Sequence, residues 1–174
     1  MRAALVVACA LVAAACSEGS SMKVPEPDVA SSIAVTSQAF ADGQPIPRDF
    51  TCRGAGRVPA LSWHGIPAEA ASLAVVVSDP DAPSGTFIHW LLYNLPPRDG
   101  TLASGEPPAG AKEAKNSGGK TGWYAPCPPS GKHRYVFAVY ALREPVIGGS
   151  TQEILDDIGG KAVARGTLTG LVSA

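Results

Sequence analysis

Leu73-Ala74-Val75-Val76-Val77-Ser78-Asp79-Pro80-Asp81-Ala82-Pro83, followed by Phe87-Ile88-His89-Trp90-Leu91-Leu92-Tyr93-Asn94-Leu95, decides the fold. Its first five residues are apolar without a break, as expected of a strand buried on both faces. Asp-Pro-Asp-Ala-Pro is a turn, because proline fixes φ, removes a donor and holds neighbouring polar groups in place. The residues after it alternate: Phe87, His89, Leu91, Tyr93 and Leu95 share one face, and Ile88, Trp90 and Leu92 share the other. A short connection between antiparallel neighbours then sets Asp79, Asp81 and His89 at one sheet edge. Ala82-Pro83 is a candidate cis peptide, since such bonds concentrate in tight turns.

A second segment repeats the device. Cys127-Pro128-Pro129-Ser130-Gly131-Lys132-His133-Arg134-Tyr135 sets a proline turn before a third long strand, Arg134 to Leu142. Tyr135, Phe137, Val139 and Ala141 point one way along it, and Val136, Ala138, Tyr140 and Leu142 the other. Shorter strands are expected at 33–40, 46–50 and 60–63, with a last one at 168–172. Between the second and third long strands lies a weakly apolar segment, 96–130, of a length that marks a functional or partly structured loop. Ser150-Thr151-Gln152-Glu153 is a capping box opening a helix to about Ile158, with Gly159-Gly160 interrupting it and residues 161–165 resuming it. Sixteen prolines and nineteen glycines agree with a turn-rich, mainly β chain whose helix is confined to the C-terminal part.

The N-terminus reads differently. Arg2 precedes an apolar run that ends at Ala15, too short for a membrane span, and this is the pattern of an export signal. Val12-Ala13-Ala14-Ala15-Cys16 matches a bacterial lipobox, so residues 1–15 are expected to be removed and Cys16 lipidated. Residues 16–32, rich in Ser, Pro and acids, are expected to be a flexible tether, with one domain at 33–174. The expected location is the bacterial cell envelope, outside the cytoplasm and lipid-anchored to the membrane. Cys52 and Cys127 remain, and two cysteines in an oxidising compartment favour a disulfide over free thiols. A net charge of −1 with no basic stripe excludes a nucleic-acid partner.

The two turns gather two Asp, two His, an Arg and a Tyr into a polar pocket, which Trp90, Trp123, Tyr124 and Tyr135 are placed to wall. Asp79 and Asp81 have enough reason to exist as turn formers. No two of the His and Asp residues have the spacing of a helical metal site, and no metal or cofactor is expected. No Gly-x-Ser-x-Gly elbow supplies a nucleophile. Gly119-Lys120-Thr121 fails as a phosphate loop, because Ala114 stands where glycine is required. What remains is recognition: imidazoles donate to anionic oxygens, and Arg134 adds charge.

These residues also resemble a family. Asp79-Pro80-Asp81-Ala82-Pro83 with His89-Trp90, and Gly122-x-x-Ala125-Pro126-Cys127-Pro128-Pro129-x-Gly131-x-His133-Arg134-Tyr135-x-Phe137, are similar to the two signature regions of the phosphatidylethanolamine-binding protein (PEBP) family, bacterial Raf-kinase-inhibitor-like branch. The resemblance runs from about Val35 to Leu142. It implies a β-sandwich of two antiparallel sheets with a few short helices, one of them C-terminal, and a small anion pocket. The pocket lining it implies is Asp79, Asp81, His89, Pro128 and His133, with Tyr135 nearby. The expected function is binding of a small phosphorylated or anionic ligand, phosphate or a phospholipid head group, without catalysis. The alternative is a protein-interaction module or an inhibitor of a kinase or other envelope enzyme. Two departures leave the far wall undefined: Asn116-Ser117 lacks an acid after the asparagine, and Gly170-Leu171-Val172 lacks a closing aromatic.

Overall fold

The computed structural model describes residues 21–103 and 106–174. The expected signal segment 1–15, Cys16 and residues 17–20 lie outside the described residues. With strands numbered along the chain, the larger sheet runs in the order β1 (Ser31–Ser32), β10 (Ala162–Ser173), β9 (Lys132–Leu142), β5 (Ser72–Asp79), β6 (Phe87–Leu95) and β8 (Lys112–Glu113); β3 (Gln44–Pro45) also pairs with β10. A second sheet joins β2 (Ala34–Thr36), β4 (Leu61–His64) and β7 (Gly100–Leu102). The long strands are antiparallel, as expected, whereas β1 and β3 add to β10 in parallel.

The larger sheet is buried on both faces. Val75, Val77, Trp90, Leu92, Phe137 and Val139 pack toward the small sheet's Val35, Leu61 and Trp63. Val76, Ile88, Leu91, Ala138 and Tyr140 pack with Ile154, Leu155 and Ile158 of α1 (Thr151–Lys161). That helix opens on the expected capping box, Ser150 Oγ accepting from Glu153 N while Glu153 accepts from Ser150 N. It does not stop at Gly159-Gly160. Each fully buried Ile or Leu contributes roughly 1.5–3 kcal/mol, more than the ~1 kcal/mol each glycine costs. Residues 162–165, expected as helix, begin β10 instead, so the chain's last element is a strand.

Three other expectations change. Residues 46–50 form a 3-10 turn at Arg48–Phe50, entered from Pro47, whose fixed φ of −59° suits a turn better than a strand. Ala82-Pro83 is trans, since no cis peptide occurs among the described residues. Residues 21–32, expected as tether, lie along the domain. Lys23 N donates to Gln152 Oε1 at 2.9 Å, Gln152 Nε2 returns a bond to Lys23 O, and Tyr140 Oη donates to Pro25 O at 2.7 Å. Met22, Val24 and Val29 pack on the helix-side core. Main-chain bonds hold this strap, so its composition carries no periodicity.

Candidate functional site

Asp79 is the last residue of β5, and antiparallel pairing with β9 brings it to His133. Its Oδ2 accepts from His133 Nδ1 at 2.7 Å, and its Oδ1 accepts from Asp81 N at 2.9 Å. Asp81, two residues on, takes the next residue of β9: Arg134 donates N and Nε to Oδ2 and Nη2 to Oδ1, at 2.8, 2.9 and 2.6 Å. The acidic turn therefore staples the start of β9 through two consecutive residues. The Arg134 guanidinium holds the Asp81 carboxyl down at about 2.

His89 reaches the same place through a β-bulge. Val77 lies opposite Trp90 and Ser78 opposite Ile88, which leaves His89 without a partner on β5. A bulge re-aims the side chain it carries. The imidazole lies 4.8 Å from the Phe87 ring and 5.1 Å from the Tyr135 ring, between centroids. Tyr124 brackets it, accepting from His89 Nδ1 through its carbonyl at 2.7 Å and donating its N–H to His89 O at 2.9 Å. Burial pushes the His89 imidazole below its ordinary value of 6.5, against the opposing pull of the Tyr124 carbonyl. Burial, and then the Asp79 carboxylate, raise the Tyr135 phenol.

Asp79, His89, His133 and Tyr135 line one cleft of about 300 Å³, together with Ala82, Pro83, Phe87, Tyr124, Cys127 and Pro129. Asp79, His89 and His133 are each between 3 and 6% exposed. Asp81 stands outside this lining with both oxygens committed to Arg134. Pro128 is buried behind it, and Cys127 and Pro129 provide the wall. Phe87 lines the cleft although it is absent from the expected lining; the signal for it is its place two residues before His89 on the same face. Cys127 is bonded to Cys52, with Cα atoms 5.4 Å apart, as the cysteine count favoured. A wider groove of about 650 Å³ next to Lys132 buries no titratable group, so the smaller cleft holds the chemistry.

A carbonyl only accepts, so His89 Nδ1 carries the proton; a carboxylate places one on His133 Nδ1 in the same way. Each ring is left with Nε2 as its open atom, an acceptor when neutral and a donor when charged. Behind the cleft, Asn116 donates Nδ2 to Gly122 O and accepts from Lys120 N, while Ser117 exchanges two bonds with the main chain of Ile88. The Asn116-Ser117 departure thus shapes the loop that carries Tyr124.

The sequence profile of the phosphatidylethanolamine-binding protein family matches residues 36–173. The chain belongs to this family. LppC of Mycobacterium tuberculosis, which has the word lipoprotein in its name, is 46% identical over 112 residues, 63% of this chain and 55% of LppC. The chain thus spans about half the length of that relative. The UPF0098 protein of Chlamydia muridarum is 44% identical over 144 residues, 78% of this chain and 95% of that one. Among solved structures, YbcL of E. coli, described as a new member of the mammalian PEBP family, superposes with a TM-score of 0.77 at 28% identity, covering 83% of this chain and 99% of YbcL. The mainly β fold with two sheets and a helix near the C-terminus is the PEBP fold.

Proposed function

We propose that this PEBP domain is a lipid-anchored, extracytoplasmic binding protein for a small phosphorylated or otherwise anionic ligand. The observation that carries the reading is the pair of buried imidazoles whose Nδ1 atoms are tied off and whose Nε2 atoms open on one cleft. A phosphate monoanion meets both protonation states, accepting from a charged ring and donating its own proton to a neutral one. The cleft volume lies at the lower end of ligand sites, which fits a head group better than a large metabolite. Binding without turnover is the role assigned to it. The lipobox ending at Cys16 and the name of the LppC relative support the anchor.

The test is an NMR titration of both imidazoles with phosphate and with phosphoethanolamine. Saturable shifts at His89 and His133, lost in His89→Ala/His133→Ala while the fold persists, support the reading. Unchanged affinity in that double variant refutes it.

A further inference from the structure

The strap fixes where the chain leaves the domain. Ser21 Oγ accepts from Thr86 N at 3.0 Å and packs over Gly85 so closely that a Cβ there would collide with it. That turn is the rim of the cleft, which Ala82, Pro83 and Phe87 line. Cys16 stands five positions before Ser21, a reach of at most ~17 Å. A domain of this length is about 40 Å across, so a lipid on Cys16 leaves the cleft end no room to turn from the bilayer.

Two further features lie at that end of the sheet. Tyr124, one of two exposed large apolar side chains among the described residues, is 41% exposed at the mouth of the cleft. Amphipathic rings of this kind settle at head-group level. Beside the cleft, Arg48, Arg53 and Lys132 line the wider groove. None of the three has an ion-pair partner among the described residues.

We infer that the cleft end of the domain docks on an anionic bilayer surface, with the strap as the orienting element and Tyr124, Arg48, Arg53 and Lys132 as the contacts. The orientation rests on the anchor proposed above; the docking surface does not.

The full chain, purified with its anchor and rebuilt into phosphatidylcholine vesicles with or without phosphatidylglycerol, would carry one fluorophore. Ser84→Cys places it on the rim turn. Glu144→Cys places it at the far end of β9, which spans eleven residues. A nitroxide on lipid head groups should quench position 84 several-fold more than position 144. Freeing the strap with Ser21→Ala/Tyr140→Phe/Gln152→Ala, which removes its bonds to Thr86, Pro25 and Lys23, should level the two without altering anion binding. Unacylated Cys16→Ser chain should partition onto phosphatidylglycerol vesicles, with Lys132→Ala costing about fivefold. Equal quenching at both positions, or stronger quenching at 144, overturns the orientation. Partitioning that ignores phosphatidylglycerol and Lys132→Ala overturns the docking surface, as does shielding of position 84 only when the chain self-associates. Mass spectrometry of Cys16 keeps the two readings apart: a missing acyl group refutes the anchor and with it the orientation, and the partition experiment still decides the docking.

Discussion

Replacing both Cys52 and Cys127 by alanine tests how the domain holds its cleft wall. The bond closes a loop of 75 residues, and chain entropy alone assigns such a crosslink about 4.5 kcal/mol through the unfolded state. The native geometry does not depend on it in the same degree. Cys52 N donates to Pro126 O at 3.0 Å, and the two bonds between His89 and Tyr124 hold the next residues. The double variant should therefore lose roughly 3–4 kcal/mol, somewhat below the entropic figure because real unfolded chains retain structure. Urea unfolding with stopped-flow kinetics is the assay. The midpoint should fall, the m-value should rise as the unfolded chain expands, and refolding should slow more than unfolding accelerates. Anion affinity at the cleft should change little. A loss under about 1 kcal/mol, or one seen wholly as faster unfolding, would refute the argument.

Four more predictions concern the site and its supports. Sulfate stays a dianion without a proton, and the neutral His89 imidazole offers it only a lone pair; its affinity should rise as pH falls below 6.5, whereas phosphate should bind across the range. Calorimetry in two buffers checks this, and sulfate binding independent of pH sinks it. Without ligand, the depressed His89 value means stability is complete above pH 6.5 and declines as pH drops below it, because the unfolded chain takes the proton more readily. Asp81→Asn should remove stability present above pH 3.8 and lost as pH falls toward 2; the shift corresponds to roughly 2.4 kcal/mol, which solvent screening at the exposed Arg134 reduces to about 1. Acid titrations of wild type and variant that run parallel would contradict it. Gly166→Ala drives a Cβ into the main-chain carbonyl of Ile33 where the first strands cross β10, and thermal unfolding should show a loss of about 3 kcal/mol; a neutral result would mean the crossing is loose.

The sequence was legible where chemistry or alternation left a mark. β9 kept its two faces throughout, with Tyr135, Phe137, Val139 and Ala141 on one side and Ala138, Tyr140 and Leu142 on the other. The capping box opened the helix, the cysteines met, and two aspartates and two histidines converged on one sheet edge. β6 was less readable. Trp90, Leu91, Leu92 and Tyr93 are all apolar and both faces of the sheet are buried, so no polar residue signals the phase. The structure places Trp90 and Leu92 between the sheets and Leu91 and Tyr93 beneath the helix, each with different companions from those alternation assigns. Asp81 looked like a ligand because sequence shows a carboxylate and not the guanidinium already on it. The strap was illegible because main-chain groups and Gln152 make its bonds.

That irregularity in β6 has a mate. Leu73 lies opposite Leu95 and Ala74 opposite Tyr93, so Asn94, at a φ of +61°, is a second unpaired residue. The two extra residues cancel: Ile88 and Leu95 keep the phase of an unbroken strand, and only the four residues between them are turned over. The site histidine is thus one half of a frame shift and its correction written in backbone. Deleting His89 alone would erase the first bulge and the imidazole while leaving Trp90 through Tyr93 opposite their present partners, and deleting His89 and Asn94 together would give an ordinary strand. What alternation misreads as a disordered phase is therefore two separable insertions, and the pocket can be lost from this strand while the core packing beneath it persists.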